Sequence, residues 1–288
     1  MAKTFGTLFL LFHLYFTAFS QEPIVSDIRQ VTVTVGKTPA ETAVTIGKTL
    51  IGRPYVAHTL DRSPEEKLVV NFREFDCTTF LETTLALALG WHELSDKQNL
   101  NQYDELFQKN LTRIRYRNGV INGYASRLHY FSEWLMDNER QGLIHDITGE
   151  IGGIQVSKPV SYMTACTWKY PKLSDSTVYR QIAQCEAAIS QQSFWFIPKK
   201  QIRAIESRLK DGDIVMLTAA RTGLDMKHVG FVVWQNGRPY LLHASSEYGE
   251  VMITKQPLAD YVQANKSFSG IRVARLNEQV PAMSARAQ

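Results

Sequence analysis

From Cys77 to Leu89 the chain is apolar on nearly every side: Phe80, Leu81, Leu85, Ala86, Leu87, Ala88 and Leu89 leave no polar stripe for water. A helix of that kind must lie at the centre of a domain, walled in by other elements. Asp76, directly before it, is a good N-cap because its carboxylate can take an orphan N–H of the first turn. Gly90 is the expected stop. A chain of 288 residues, 44% hydrophobic and 21% charged, is long enough to build the surrounding core. The same composition excludes wholesale disorder, collagen and a coiled coil.

Other segments arrange themselves around that helix. Ser95 to Lys109 is polar and reads as a surface helix. Tyr124 to Asn138 reads as an amphipathic helix. Tyr124, Leu128, Phe131 and Leu135 form one stripe; Arg127, Tyr130 and Trp134 form another. Periodicity is weak from Gln141 to Trp195, where only Ser176 to Ala188 reads as helical, so this part is an irregular elaboration. Pro198 is placed to open a helix reaching Lys210. In the last third the pattern shifts to short apolar runs, and Asp213–Thr218, Val229–Trp234, Pro239–His243 and Ile271–Leu276 read as strands. Helices first and sheet second predict an α+β domain.

The first twenty residues stand apart. Lys3 precedes the run Leu8-Phe9-Leu10-Leu11-Phe12, and Ala18-Phe19-Ser20 closes it. This is the pattern of a secretory signal peptide cut before Gln21. It implies a secreted or periplasmic protein with no membrane span after cleavage. The formal net charge of +4 is too small to argue for a nucleic-acid partner. Three cysteines are too few for a disulfide scaffold, and the odd number leaves at least one without an intrachain partner. Cys166 and Cys185 are sequence neighbours that either pair or stay as buried thiols. Cys77 stands alone.

Cys77 sits where the buried helix begins. The unpaired N–H groups and positive dipole end there favour a thiolate, the nucleophilic form. The competing reading is a small core residue. Two histidines weigh against it. Asn236-Gly237 between apolar runs is a strong two-residue hairpin signal. A turn centred there sets Trp234 opposite Pro239, Val232 opposite Leu241 and Gly230 opposite His243. His228 and His243 then share a sheet face as diagonal neighbours, roughly 7–8 Å apart at the backbone. Cysteine and two histidines could instead hold zinc, but neither HExxH nor paired CxxC spacing is present. No metal and no cofactor are expected.

These residues resemble a known family. Gly52-Arg-Pro-Tyr-Val56 and Phe75-Asp-Cys-Thr-Thr-Phe80 look like the N-terminal half of NlpC/P60 cysteine peptidases. Leu209-Lys-Asp-Gly-Asp-Ile-Val215, Lys227-His-Val-Gly-Phe-Val232 and Leu242-His-Ala-Ser245 look like the C-terminal half. Phe72–Phe80, Tyr124–Tyr130 and Gly223–Val229 point to the amidase-like branch long known only as a domain of unknown function. The resemblance implies a papain-like core, with the nucleophile at a helix start packed on a C-terminal antiparallel sheet or barrel. It implies cleavage of the N-acetylmuramoyl–L-alanine amide of peptidoglycan fragments, favouring anhydromuropeptides. Residues 21–280 would form one catalytic domain with an insertion around 141–195, and 281–288 a frayed tail.

Carried over residue by residue, Cys77 is the nucleophile, His228 the base and His243 the third member. Tyr55 helps bind the oxyanion, beside the Cys77 N–H. Arg127 is placed to pair with a carboxylate of the stem peptide, and Tyr130 and Trp134 to stack on a sugar. The chain departs from ordinary members in carrying His58-Thr59-Leu60 where they have a Gly-Gly pair, and Thr78 where they have Ser. Those departures bear on the usual γ-D-glutamyl–diaminopimelate specificity. An endopeptidase of the stem and a catalytically inactive wall-binding module are the competing readings.

Overall fold

The computed structural model describes residues 35–279. The leader at 1–20 and the tail at 281–288 lie outside them. Six helices of more than one turn are present among the described residues: α1 Pro39–Thr49, α2 Cys77–Glu93, α3 Leu100–Arg115, α4 Phe131–Arg140, α5 Ser176–Ser190 and α6 Leu258–Ala264. Eight strands accompany them: β1 Ile144–Asp146, β2 Ile154–Ser157, β3 Ser193–Pro198, β4 Ile214–Ala219, β5 Met226–Gln235, β6 Arg238–Ser245, β7 Glu250–Ile253 and β8 Phe268–Leu276. They form one open sheet in the order β2-β3-β8-β4-β5-β6-β7, with β1 also on β8, and every pairing is antiparallel. The protein is therefore α+β, with helices packed on an antiparallel sheet. None of its described helices is long and apolar enough to cross a membrane.

Burial follows composition. Helix α2 has twelve consecutive buried residues, Thr79 to Gly90, between α1, α3 and the inner face of the sheet. The helix does not stop at Gly90. A Cβ there would lie 3.2 Å from the Phe107 backbone N, so the glycine serves the close approach of α3 instead. That partner begins at Leu100, capped by Asn99, and is amphipathic rather than a surface helix: Tyr103, Phe107, Leu111 and Ile114 are buried against α2. The outer face of the sheet is covered by α6 and the one-turn helix Ile202–Ile205. A third apolar cluster ties α5 to Tyr124 and Tyr130.

Two expected helices take another form. Between Tyr124 and Asn138 the chain makes a 3₁₀ turn at Tyr124–Ser126, runs extended through Arg127, and starts helix α4 only at Phe131. The buried Asp225 carboxylate accepts the Ser132 N–H at 2.7 Å and so caps α4 from 93 residues away. Pro198 ends strand β3, and the stretch to Arg208 is a series of single turns, not one helix. Cys166 and Cys185 are both free, so no bridge joins them. Cys166 is buried, while Cys185 is half-buried and accepts a hydrogen bond from Arg117 at 3.0 Å.

Candidate active site

The start of α2 is tightly defined. Asp76 Oδ1 accepts the Thr79 N–H at 2.7 Å, and Thr79 Oγ1 accepts the Asp76 N–H at 2.9 Å, a reciprocal capping box. Just upstream, Phe75 donates its N–H to Pro54 O, and the Val56 N–H donates to Phe75 O, both at 2.9 Å. The same stretch borders β7, where the Tyr55 N–H donates to Gly249 O at 2.8 Å. Tyr55 is thereby clamped between the β7 edge and the approach to Cys77.

Across from this helix start lies the β5–β6 hairpin. Asn236 (φ 50°) and Gly237 (φ 75°) make its turn, and the register runs Gln235↔Arg238, Trp234↔Pro239 and Val232↔Leu241. The ladder ends at Phe231↔Leu242, yet β5 continues along β4 to Met226 and β6 along β7 to Ser245. The two strands therefore part where His228 and His243 stand. A bulge on the β4 side leaves Lys227 as the extra residue, beyond the histidines. The two rings meet edge to face, 4.7 Å between centroids at 86°, with His228 Nε2 2.5 Å from His243 Nδ1. Gly230 is wedged beside them: a Cβ would lie 2.9 Å from His243 Cβ and 2.6 Å from Leu242 O.

Cys77 reaches this opening. The Val229 backbone, next to His228, and Thr78 act on its sulfur in favour of the thiolate. His228 has spent Nε2 on His243, so Nδ1 is the nitrogen left to receive a proton from a thiol. Electrostatics oppose a preformed ion pair. Burial, reinforced by the Asp76 carboxylate, pushes the Cys77 thiol up to about 12 despite the helix dipole. Burial and the charges of His243 and Lys227 push His228 well below its ordinary range, and burial alone takes His243 down to about 4. Both shifts favour a neutral thiol and a neutral imidazole over the thiolate that the helix start alone favours.

Two tyrosines lie within electrostatic reach of Cys77. Burial and the nearby Cys77 and Asp76 raise Tyr55, so its phenol stays protonated and can donate. Tyr261 of α6 packs edge-on against His243, with centroids 5.8 Å apart, and its phenol is pushed up to about 12 by burial, Glu247, Tyr248 and Cys77. Nothing in the sequence marks Tyr261, because only the fold brings α6 to this end of the sheet.

The three residues expected to bind substrate are engaged elsewhere. Arg127 is buried, sits over the Tyr124 ring and donates to Asp61 at 2.6 Å. Against the upward push of burial, Arg127 holds the Asp61 carboxyl below its ordinary value. The Tyr130 ring is 2% exposed, and its hydroxyl donates to Glu186 at 2.6 Å. Trp134 is 1% exposed within the main core. Rings with no open face cannot stack on a sugar, so Tyr130 and Trp134 are core residues. Among the described residues no group of three or more His, Cys, Asp and Glu side chains is arranged to hold a metal ion.

Residues 45–271 match a family described as AmiA-like, N-acetylmuramoyl-L-alanine amidase-like. Solved structures agree. An N-acetylmuramoyl-L-alanine amidase from Bacteroides uniformis is 33% identical, with a TM-score of 0.76 over 83% of this chain and 99% of that one. A Bacteroides fragilis protein provisionally named a xylanase is 38% identical, with a TM-score of 0.75 over 80% and 99%. A Legionella pneumophila protein shares the fold at 21% identity, with a TM-score of 0.60 over 88% and 92%. None of the curated proteins matches this chain.

Proposed function

The chain belongs to the AmiA-like, N-acetylmuramoyl-L-alanine amidase-like family, and on that premise we propose that it is a secreted or periplasmic cysteine amidase. Its substrate is a peptidoglycan fragment, an anhydromuropeptide by preference, and the bond cut joins the muramoyl lactyl group to L-alanine. Residues 1–20 act as a signal peptide, and 21–280 form one catalytic domain with a papain-like NlpC/P60 core. The observation that carries the reading is the His228–His243 contact beside the capped helix start that presents Cys77.

The sulfur of Cys77 attacks the lactyl carbonyl carbon as His228 Nδ1 takes the thiol proton. With the neutral pair favoured at rest, proton transfer accompanies attack instead of preceding it. The Cys77 N–H, one of the first-turn donors that no helix carbonyl can accept, and the Tyr55 hydroxyl hold the oxyanion. Collapse breaks the C–N bond while His228 delivers the proton to the departing alanine nitrogen. Water, deprotonated by His228, then cleaves the thioester and frees the sugar carboxylate. His243 orients His228 throughout.

Incubation with defined muropeptides, anhydro and reduced, tests this by product mass. Sugar freed of all peptide is expected. Sugar retaining a dipeptide would make the protein a γ-D-glutamyl–diaminopimelate endopeptidase, and no product at all would leave a wall-binding module. Gly230→Ala is a finer probe. The added methyl has no room beside His243, so activity should fall about 100-fold for a displacement near 1 Å. Stability should fall by about 1–3 kcal/mol. An unchanged kcat in a folded variant would remove the histidine pair from the mechanism.

A further inference from the structure

The Tyr162 hydroxyl is the meeting point of two cations. Lys169 Nζ donates to it at 2.9 Å and Arg221 Nη1 at 3.4 Å. Both also sit against the ring, the ammonium 5.4 Å and the guanidinium carbon 4.9 Å from its centroid. A phenol oxygen has two lone pairs, so accepting both bonds leaves its own hydrogen free to donate. Three donors therefore converge. Among the described residues no carboxylate pairs with Lys169 or Arg221. Asp225, on the same loop as Arg221, accepts the Ser132 and Met226 N–H groups instead. Glu186 accepts from Tyr130 and from the N–H groups of Met163 and Thr164, the residues after Tyr162. Two like charges brought to one oxygen repel, and an anion between them removes that cost.

The cluster is built from two segments that the fold pins together. Tyr162 and Lys169 come from the weakly periodic stretch 141–195, and Arg221 from the loop between β4 and β5. Ser161 donates its N–H to Gly223 O at 2.9 Å, and a parallel bridge joins Val160 to Gly223. Gly223 has φ 79°, and a Cβ there would lie 3.0 Å from Ser161 Oγ, so the close approach needs glycine. The β4–β5 register locates the cluster. Leu217 lies opposite His228, and the chain runs on from Leu217 into the loop that carries Arg221. That loop is at the His228 end of the sheet, and Arg221 is at most about 14 Å of chain past Leu217. An extended peptide of four or five residues spans about the same distance.

We propose that Tyr162, Lys169 and Arg221 form a site for a carboxylate of the stem peptide, at a distance from the bond that is cut. The proposal rests on the amidase reading, under which the departing peptide carries free carboxylates. Two cations and a phenol O–H suit one carboxylate, whose two oxygens can accept from all three in charge-assisted bonds. Arg127, the carboxylate partner expected from sequence, is occupied by Asp61. The site selects peptides that are long and acidic enough to run from Cys77 to the β4–β5 loop, and holds amidated or truncated ones less well. It acts on binding more than on chemistry.

The test couples a change in the substrate to a change in the protein. Cleavage of N-acetylmuramoyl-L-alanyl-γ-D-glutamyl-meso-diaminopimelate is compared with cleavage of its fully amidated form, by the wild type and by Lys169→Gln/Arg221→Gln. Amidation should lower kcat/KM of the wild type about tenfold, mostly through KM, and that of the double variant by less than about twofold. Lys169 and Arg221 are both exposed, so the double variant should melt as the wild type does. Equal losses on amidation in the two proteins would overturn the proposal. In parallel, the free peptide L-alanyl-γ-D-glutamyl-meso-diaminopimelate is titrated calorimetrically into the full chain. It should bind the double variant about tenfold more weakly than the wild type, and inorganic phosphate should bind the wild type more weakly than the peptide by a similar factor. Equal affinity of the peptide for both proteins, or of phosphate and peptide for the wild type, would overturn it. Cleavage of neither substrate would remove the amidase reading, and the titration would still decide whether the site takes the peptide carboxylate.

Discussion

Cys77→Ala is expected to lower release of peptide from a muropeptide by on the order of 10⁴-fold or more, with the fold intact. The sulfur is the only atom removed. The capping box that starts α2 is made by Asp76 and Thr79, not by Cys77, so the helix keeps its start. Melting should move by no more than a few degrees. Without sulfur no thioester forms, and the oxyanion donors alone cannot replace a covalent step. Cys77→Ser tests the same point more sharply. It restores a donor in the same place but needs a stronger base than a histidine held far below its ordinary range. Alkylation of the wild-type thiol adds an independent reading. A thiol raised to about 12 is protonated at neutral pH, so its thiolate fraction grows tenfold per pH unit from neutrality upward. The rate should therefore climb through pH 7–10 without a plateau near 6. A plateau there would mean a preformed ion pair, and residual hydrolysis by Cys77→Ala would take the nucleophile role away from this residue.

The parts of this site that could be read from the chain are those where local chemistry and tertiary demand coincide. Asp76 reads as a cap because a carboxylate in front of an apolar run has one good use, and the structure gives it that use. Asn236-Gly237 fixes the hairpin register because both residues tolerate positive φ, and register alone puts two imidazoles on one face. The failures have equally physical causes. Tyr124, Leu128, Phe131 and Leu135 keep helical spacing, but the chain is pulled straight where Leu128 N donates to Arg115 O. The helix restarts where Asp225 supplies a cap that no local sequence announces. Strands β1 and β2 have only three and four residues, too short for alternation to register. Gly90 carries the same letter as a helix stop but answers to α3 instead. The place of Tyr261 depends on where the sheet ends, and that is settled only when all eight strands are in place.

Glu82→Ala should produce the largest loss of stability, about 3–5 kcal/mol, read from urea unfolding. Glu82 lies on α2, five residues past Cys77, and its side chain is 1% exposed. Arg115, 2% exposed, donates to it at 2.6 Å and also donates to Val69 O at 2.7 Å. One guanidinium thus ties together α2, α3 and the segment that leads into Phe75 and Cys77. Burial pushes the Glu82 carboxyl up, and Arg115 opposes that push. Taking the carboxylate away leaves a guanidinium in the core whose remaining hydrogen bond is to the Val69 carbonyl. For a domain of this size the loss corresponds to a melting temperature lower by about 10 °C. Glu82→Leu combined with Arg115→Met should recover most of it, because neither buried charge then remains to be solvated. Activity separates this role from that of Cys77. The single Glu82 variant should be stable enough at low temperature to retain measurable kcat, reduced by the looser seat of α2, whereas Cys77→Ala should be stable and inactive. A Glu82→Ala loss below about 1 kcal/mol, small against the range for a broken buried pair, would mean that apolar packing holds α2 in place without the ion pair.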